Sequence, residues 1–157
     1  MPYFTPTGTP YFDSEITGAI LGLRFSTSMS EIMLALLEGV AFEMRLNLDI
    51  LEKSGIYIDE LRAIGGGAKS QVLTQLKADV LNKPITTVTV TEAGCFGVAM
   101  LARAAVTVIP LYQIVMEWVK TSGTVYPNEE NARFYDKQFK KYLKIYPSLK
   151  HIFSNNY

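Results

Sequence analysis

The chain has 157 residues, 48% of them hydrophobic, and its 15 basic side chains balance its 15 acidic ones. That composition is ordinary for a globular protein with a real core and excludes recognition of nucleic acid or a membrane surface through bulk charge. The single cysteine, Cys95, excludes an intrachain disulfide and points to a reducing cytoplasm.

Residues 1–18 are punctuated by Pro2, Pro6, Gly8 and Pro10, so an irregular arm is expected, with Tyr3, Phe4, Tyr11 and Phe12 packing on something. The opening Met1-Pro2-Tyr3-Phe4-Thr5-Pro6 does not read as a secretory leader. Residues 19–157 read as one helix-rich α/β core. Ala19 to Leu23 is a short apolar piece, a strand or the edge of a turn. A long helix follows, opened by a capping box of Ser28 with Glu31 and stopped at Gly55. Met33, Leu37, Val40, Met44, Leu48 and Leu51 recur at steps of three and four and form its expected buried stripe. Gly39 costs about 1 kcal/mol relative to Ala inside a helix, so it marks close contact with another backbone. Glu38 and Glu43 read as solvated charges.

Asp59 to Ile64 reads as a strand that runs into Gly65, Gly66 and Gly67. The next helix opens at Lys69 or Ser70, with Val72, Leu73, Leu76 and Val80 on its apolar side and Pro84 beyond its end. Ile85 to Val90 is almost wholly β-branched and predicts a second strand. From Glu92 a helix of small residues is expected, suited to tight packing, and no apolar run reaches membrane-spanning length because Arg103 interrupts the longest. Pro110 suits the first turn of another helix, with Leu111, Ile114, Val115 and Trp118 on one side and a turn at Ser122-Gly123 after it. Pro127 opens the last helix, whose stripe is Phe134, Tyr135, Gln138, Phe139, Tyr142 and Ile145, opposite Lys137, Lys140, Lys141 and Lys144. Two strands among this much helix make a thin sheet, which predicts part of an α/β layered domain with strands missing.

The stretch Ala63-Ile64-Gly65-Gly66-Gly67-Ala68-Lys69-Ser70 carries the chemistry. Glycines let a backbone turn sharply and approach a ligand without a Cβ in the way, and a helix N-terminus beyond them favours phosphate. The same residues also serve a plain strand-to-helix turn. A phosphate-cradling P-loop is excluded, since Ala63 and Ala68 stand where its two glycines belong. The dinucleotide fingerprint fits Gly65 and Gly67 but meets Ser70 at its third glycine, which weighs against an NAD-dependent oxidoreductase. His151 is the only histidine and Cys95 the only cysteine, so neither a metal site nor a Ser–His–Asp triad is expected.

In order along the chain, four groups of residues resemble the FGGY family of carbohydrate kinases. They are Gly18 to Leu23, the Ala35-Leu36-Leu37-Glu38-Gly39 helix segment, Gly65 to Ser70 with Gln75, Ala78, Asp79, Asn82 and Pro84, and Glu92-Ala93 with Gly97 and Ala99. The Tyr142, Tyr146-Pro147, Leu149-Lys150 ending is similar too. The resemblance implies a partial actin-like ATPase (ribonuclease H-like) fold and the ATP-binding C-terminal part of a sugar kinase, xylulokinase-like. Gly66, Gly67 and Ala68 would approach the nucleotide by backbone and Gln71 would meet the base. Glu92 would fix the start of its helix. The family's general base, its Mg²⁺-associated acids and its phosphate loops would lie in polypeptide ahead of Met1, so ATP and Mg²⁺ chemistry is expected only with that part, and no turnover from this chain alone. The chain would then be an expressed piece, a proteolytic product or a truncated gene. A non-catalytic, self-associating interaction module is the alternative reading, because an unpaired sheet edge is adhesive.

Overall fold

The computed structural model describes residues 1–4, 7–90 and 92–153; Thr5 and Pro6 of the expected arm lie outside these. Among the described residues six helices and three strands follow one another as α1 (Met29–Lys53), β1 (Leu61–Ala63), α2 (Gln71–Leu81), β2 (Ile85–Val88), α3 (Ala93–Val106), α4 (Leu111–Trp118), β3 (Thr121–Val125), α5 (Glu129–Tyr142) and α6 (Ile145–Phe153). A 3-10 turn, Gly66–Lys69, joins β1 to α2. No helix among the described residues is long and apolar enough to cross a membrane.

β2 is the central strand. It runs parallel to β1, with Leu61 opposite Ile85, and antiparallel to β3, with Ile85 opposite Val125. The strand at 121–125 stands where only a turn was expected. Ser122 and Gly123 are turn-forming residues, yet Gly123 pairs with Thr87 on an edge where a glycine is tolerated. Ala19 to Leu23 forms no strand. The last helical stretch divides into α5 and α6 around Leu143 and Lys144, and α5 starts from Asn128, whose side chain accepts from the N–H groups of Glu130 and Asn131.

The capping box of α1 forms as expected: the Ser28 N–H donates to Glu31 Oε2 at 2.7 Å, and the Glu31 N–H to Ser28 Oγ at 3.3 Å. The buried side of this helix is not the expected one. Ala41, Phe42 and Leu46 meet Val80 of α2 and Phe139 and Tyr142 of α5 in the largest core cluster. Met33, Val40 and Met44 remain 53%, 48% and 37% exposed, Leu37 and Leu51 are exposed as well, and Leu48 is half-buried. The helix is apolar on two sides, the pattern of one built to lie between layers, and only one side is covered. Val72 of α2 is likewise exposed.

Glu38 and Glu43 are not free surface charges. Glu43 Oε1 accepts from Tyr3 Oη at 2.8 Å and from Tyr142 Oη at 2.6 Å, and Glu38 Oε1 accepts from Tyr135 Oη at 2.9 Å. Burial, and then the hydrogen bond to a carboxylate, push the Tyr3, Tyr135 and Tyr142 hydroxyls well above the ordinary phenol range. Tyr3 belongs to the arm, so Glu43 joins the arm, α1 and α5. Tyr11 stacks on Tyr146 of α6 with ring centroids 3.7 Å apart, and the Tyr146 hydroxyl donates to Asp13 at 2.9 Å. Phe4 and Phe12, expected to pack, are mostly exposed. The close neighbour of Gly39 is the ring of Pro2 and not another backbone; a Cβ there would lie 3.3 Å from Pro2 Cδ.

α3 carries no buried residue despite its small side chains. It lies against α4, where the Phe96 and Trp118 ring centroids are 5.8 Å apart and the Arg103 guanidinium stands 5.1 Å from the Trp118 ring centre. Asp79, 3% exposed, ties α2 to α5: it accepts from Gln75 Nε2 at 2.7 Å, the Asn128 N–H at 2.8 Å and Asn131 Nδ2 at 2.8 Å.

Candidate functional site

Parallel strands end where their carboxyl termini meet the loops that follow, and that rim is where open α/β sheets hold ligands. Here β1 ends in Ala63 and passes through Ile64 to Gly65. Gly65 has φ +82° and ψ −173°, a backbone conformation that a side chain would strain. The chain then makes the 3-10 turn, and Ser70 caps α2 by accepting from the Leu73 N–H at 3.3 Å. The conformational demand therefore falls on Gly65. A Cβ at Gly66 would meet nothing within 4 Å, and one at Gly67 would lie 3.8 Å from Lys77 Nζ. The fold does not require glycine at either position.

A cleft of about 500 Å³ opens at this rim. One wall is Gly65, Ala68, Lys69 and Gln71; the other is Thr87 and Thr89 from β2 and its extension, with Ser122 and Thr124 from β3. A second cavity of about 270 Å³ adjoins it between α1 and the sheet and is lined by Gly67 and Ala68, with Met44, Leu61, Lys77 and Ile85 among its other residues. The four residues singled out in the sequence thus divide. Ala68 and Gln71 line the larger cleft, Gly67 and Ala68 the smaller, and Gly66 lines neither.

Among the described residues Lys69 is the only charged side chain around the larger cleft, and no carboxylate lines it. The lining suits an anionic or polyhydroxylated ligand, offers no general base, and has no acid to hold a divalent cation. Among the described residues no group of three or more His, Cys, Asp or Glu side chains converges. The hydroxyl wall was missed in the sequence. Its signal was the spacing Thr87-x-Thr89, which places two hydroxyls on one face of an extended chain; Ser122 joins Thr87 only through the irregular register of β2 and β3, and Ser122-Gly123 read as a turn.

Residues 1–106 match the model of the FGGY family of carbohydrate kinases, C-terminal domain. The chain is 32% identical over 146 residues to the xylulose kinase of Staphylococcus xylosus, covering 92% of this chain and 30% of that protein. It is 40% identical over 107 residues to the glycerol kinase of Ligilactobacillus salivarius, covering 68% of this chain and 21% of that one. The ligand-bound xylulose kinase of Lactobacillus acidophilus superposes with a TM-score of 0.87 at 27% identity, over 98% of this chain and 31% of that chain. The chain therefore spans about a third or less of the relatives it matches. The family-model match, the identity to a xylulose kinase over nearly the whole chain and the superposition on another agree, and the chain belongs to the FGGY family of carbohydrate kinases as its C-terminal domain.

Proposed function

We propose that this chain is the nucleotide-holding part of an ATP-dependent sugar kinase that moves the γ-phosphate of ATP to a sugar hydroxyl, a ketopentose such as xylulose being the favoured acceptor. The observation that carries this reading is the cleft at the carboxyl ends of β1 and β2, beside two glycines that the fold itself does not need. A backbone without Cβ atoms suits close approach by a phosphate or ribose, and Ala68 and Gln71 then face the nucleoside. Xylulose is favoured as acceptor because the Staphylococcus xylosus and Lactobacillus acidophilus relatives are xylulose kinases.

Phosphoryl transfer needs the γ-phosphate, Mg²⁺ and the attacking hydroxyl held together by a base and metal-binding acids. The cleft supplies neither. In this reading they come from polypeptide preceding this domain, which also completes an actin-like sheet beside β1 and covers the exposed side of α1, and the whole enzyme works in the cytoplasm. A coupled assay with ATP, Mg²⁺ and xylulose should give no turnover from this chain alone, while ADP raises its thermal midpoint. Turnover by the isolated chain, or a midpoint that no adenine nucleotide moves, would contradict the proposal.

A second reading is favoured by one observation, the uncovered side of α1 next to the unpaired edge of β1. There the chain is a self-associating module, and sizing would give a stable dimer without any nucleotide response.

A further inference from the structure

The wall opposite Gln71 is built from hydroxyls whose hydrogen-bond partners are each other or the backbone. Thr87 Oγ1 and Ser122 Oγ lie 2.7 Å apart, with Thr87 Oγ1 also 3.3 Å from the Gly123 carbonyl. Thr89 Oγ1 donates to the Lys120 carbonyl at 3.3 Å, and the Thr89 N–H is committed to the same carbonyl at 3.0 Å. Thr124 Oγ1 lies 2.7 Å from Thr86 Oγ1. A hydroxyl carries one rotating donor and two acceptor sites. In the Thr87–Ser122 pair either oxygen can supply the shared proton, so the pair can turn a donor or an acceptor toward the cleft. Gln71 is exposed and its amide offers both. Apart from Lys69, no side chain around the cleft among the described residues has a fixed hydrogen-bond polarity.

Adenine and guanine differ at C6, where one presents an amino donor and the other a carbonyl acceptor, and at C2, where guanine alone carries an amino group. A site rejects the wrong partner strongly only when the mismatch leaves one of its own polar groups unpaired. Rotating hydroxyls and a turning amide re-pair with either base, and among the described residues no carboxylate lines the cleft to favour the N–H groups of guanine.

We propose that the Thr87–Ser122 hydroxyl pair, with Gln71 opposite, forms a purine subsite that accepts adenine and guanine nucleotides with little discrimination. The inference rests on the nucleotide reading of this cleft. Titration calorimetry of the full chain with ADP and with GDP tests it. The two dissociation constants should agree within about 10-fold, and Thr87→Val with Ser122→Ala should weaken both by about 5-fold or more while circular dichroism is unchanged. A preference of about 100-fold or more for one base, read on the unsubstituted chain and so independent of how the variant folds, would overturn the subsite. So would a folded double variant that binds both nucleotides as tightly as the unsubstituted chain. Binding of neither nucleotide overturns the nucleotide reading itself, and this subsite with it.

Discussion

Glu43 sits in the middle of a helix, and sequence spacing gave no hint that two phenols would converge on it. Its partners Tyr3 and Tyr142 lie 40 residues before it and 99 after it, and such long-range pairs leave no periodic trace. A hydrogen bond to a charged acceptor is worth about 1.5–3 kcal/mol, so Tyr142→Phe should lower unfolding stability by about that much in urea melts. The same phenols set a pH dependence. Their folded pKa values lie above the ordinary value of 10 and that of Tyr146 is pushed up to about 12, so the folded state keeps protons that the unfolded chain releases. Stability is therefore fully present below about pH 10, where unfolded tyrosine titrates, and is lost as pH rises beyond it. Thermal midpoints measured from pH 8 to pH 12 should hold level and then fall. A midpoint still level above pH 11 would contradict the assignment.

At the scale of elements, residue pattern predicted five helices, the two parallel strands and the glycine turn, because caps, β-branched runs and breakers are local signals. It missed β3, whose Thr-Ser-Gly-Thr core has the composition of a turn and becomes a strand only by pairing with β2. It also chose the wrong side of α1. Both sides are apolar, and only contact with α2 and α5 decides which is buried here. For the site, the glycine turn was legible as a local motif and Gln71 entered only through the family resemblance; the hydroxyls of β3 depend on its pairing with β2 and were not legible. Asp79 holds this arrangement by joining α2 to the start of α5 just beyond β3. Asp79→Ala would remove the buried carboxylate that accepts three hydrogen bonds and should cost roughly 2–4 kcal/mol in a denaturant titration. A loss under about 0.5 kcal/mol, the range of an ordinary surface change, would contradict that role.

Across the whole molecule, among the described residues, one side of α1 is uncovered and β1 has no strand on its outer edge. Because Leu37 and Val40 touch solvent here, Leu37→Glu with Val40→Glu should change the stability of the isolated chain by no more than about 1 kcal/mol and abolish any self-association seen by sedimentation. A large destabilisation would mean that this face is already covered. The central claim is that the glycine turn approaches a nucleotide by its backbone. Gly67→Val adds a side chain that the fold can accommodate, its Cβ no closer than 3.8 Å to Lys77 Nζ, but that a ligand lying on the turn cannot. Titration calorimetry with ADP should detect binding at millimolar or tighter affinity for the unsubstituted chain and none for the equally folded Gly67→Val variant; equal binding by both would contradict the account.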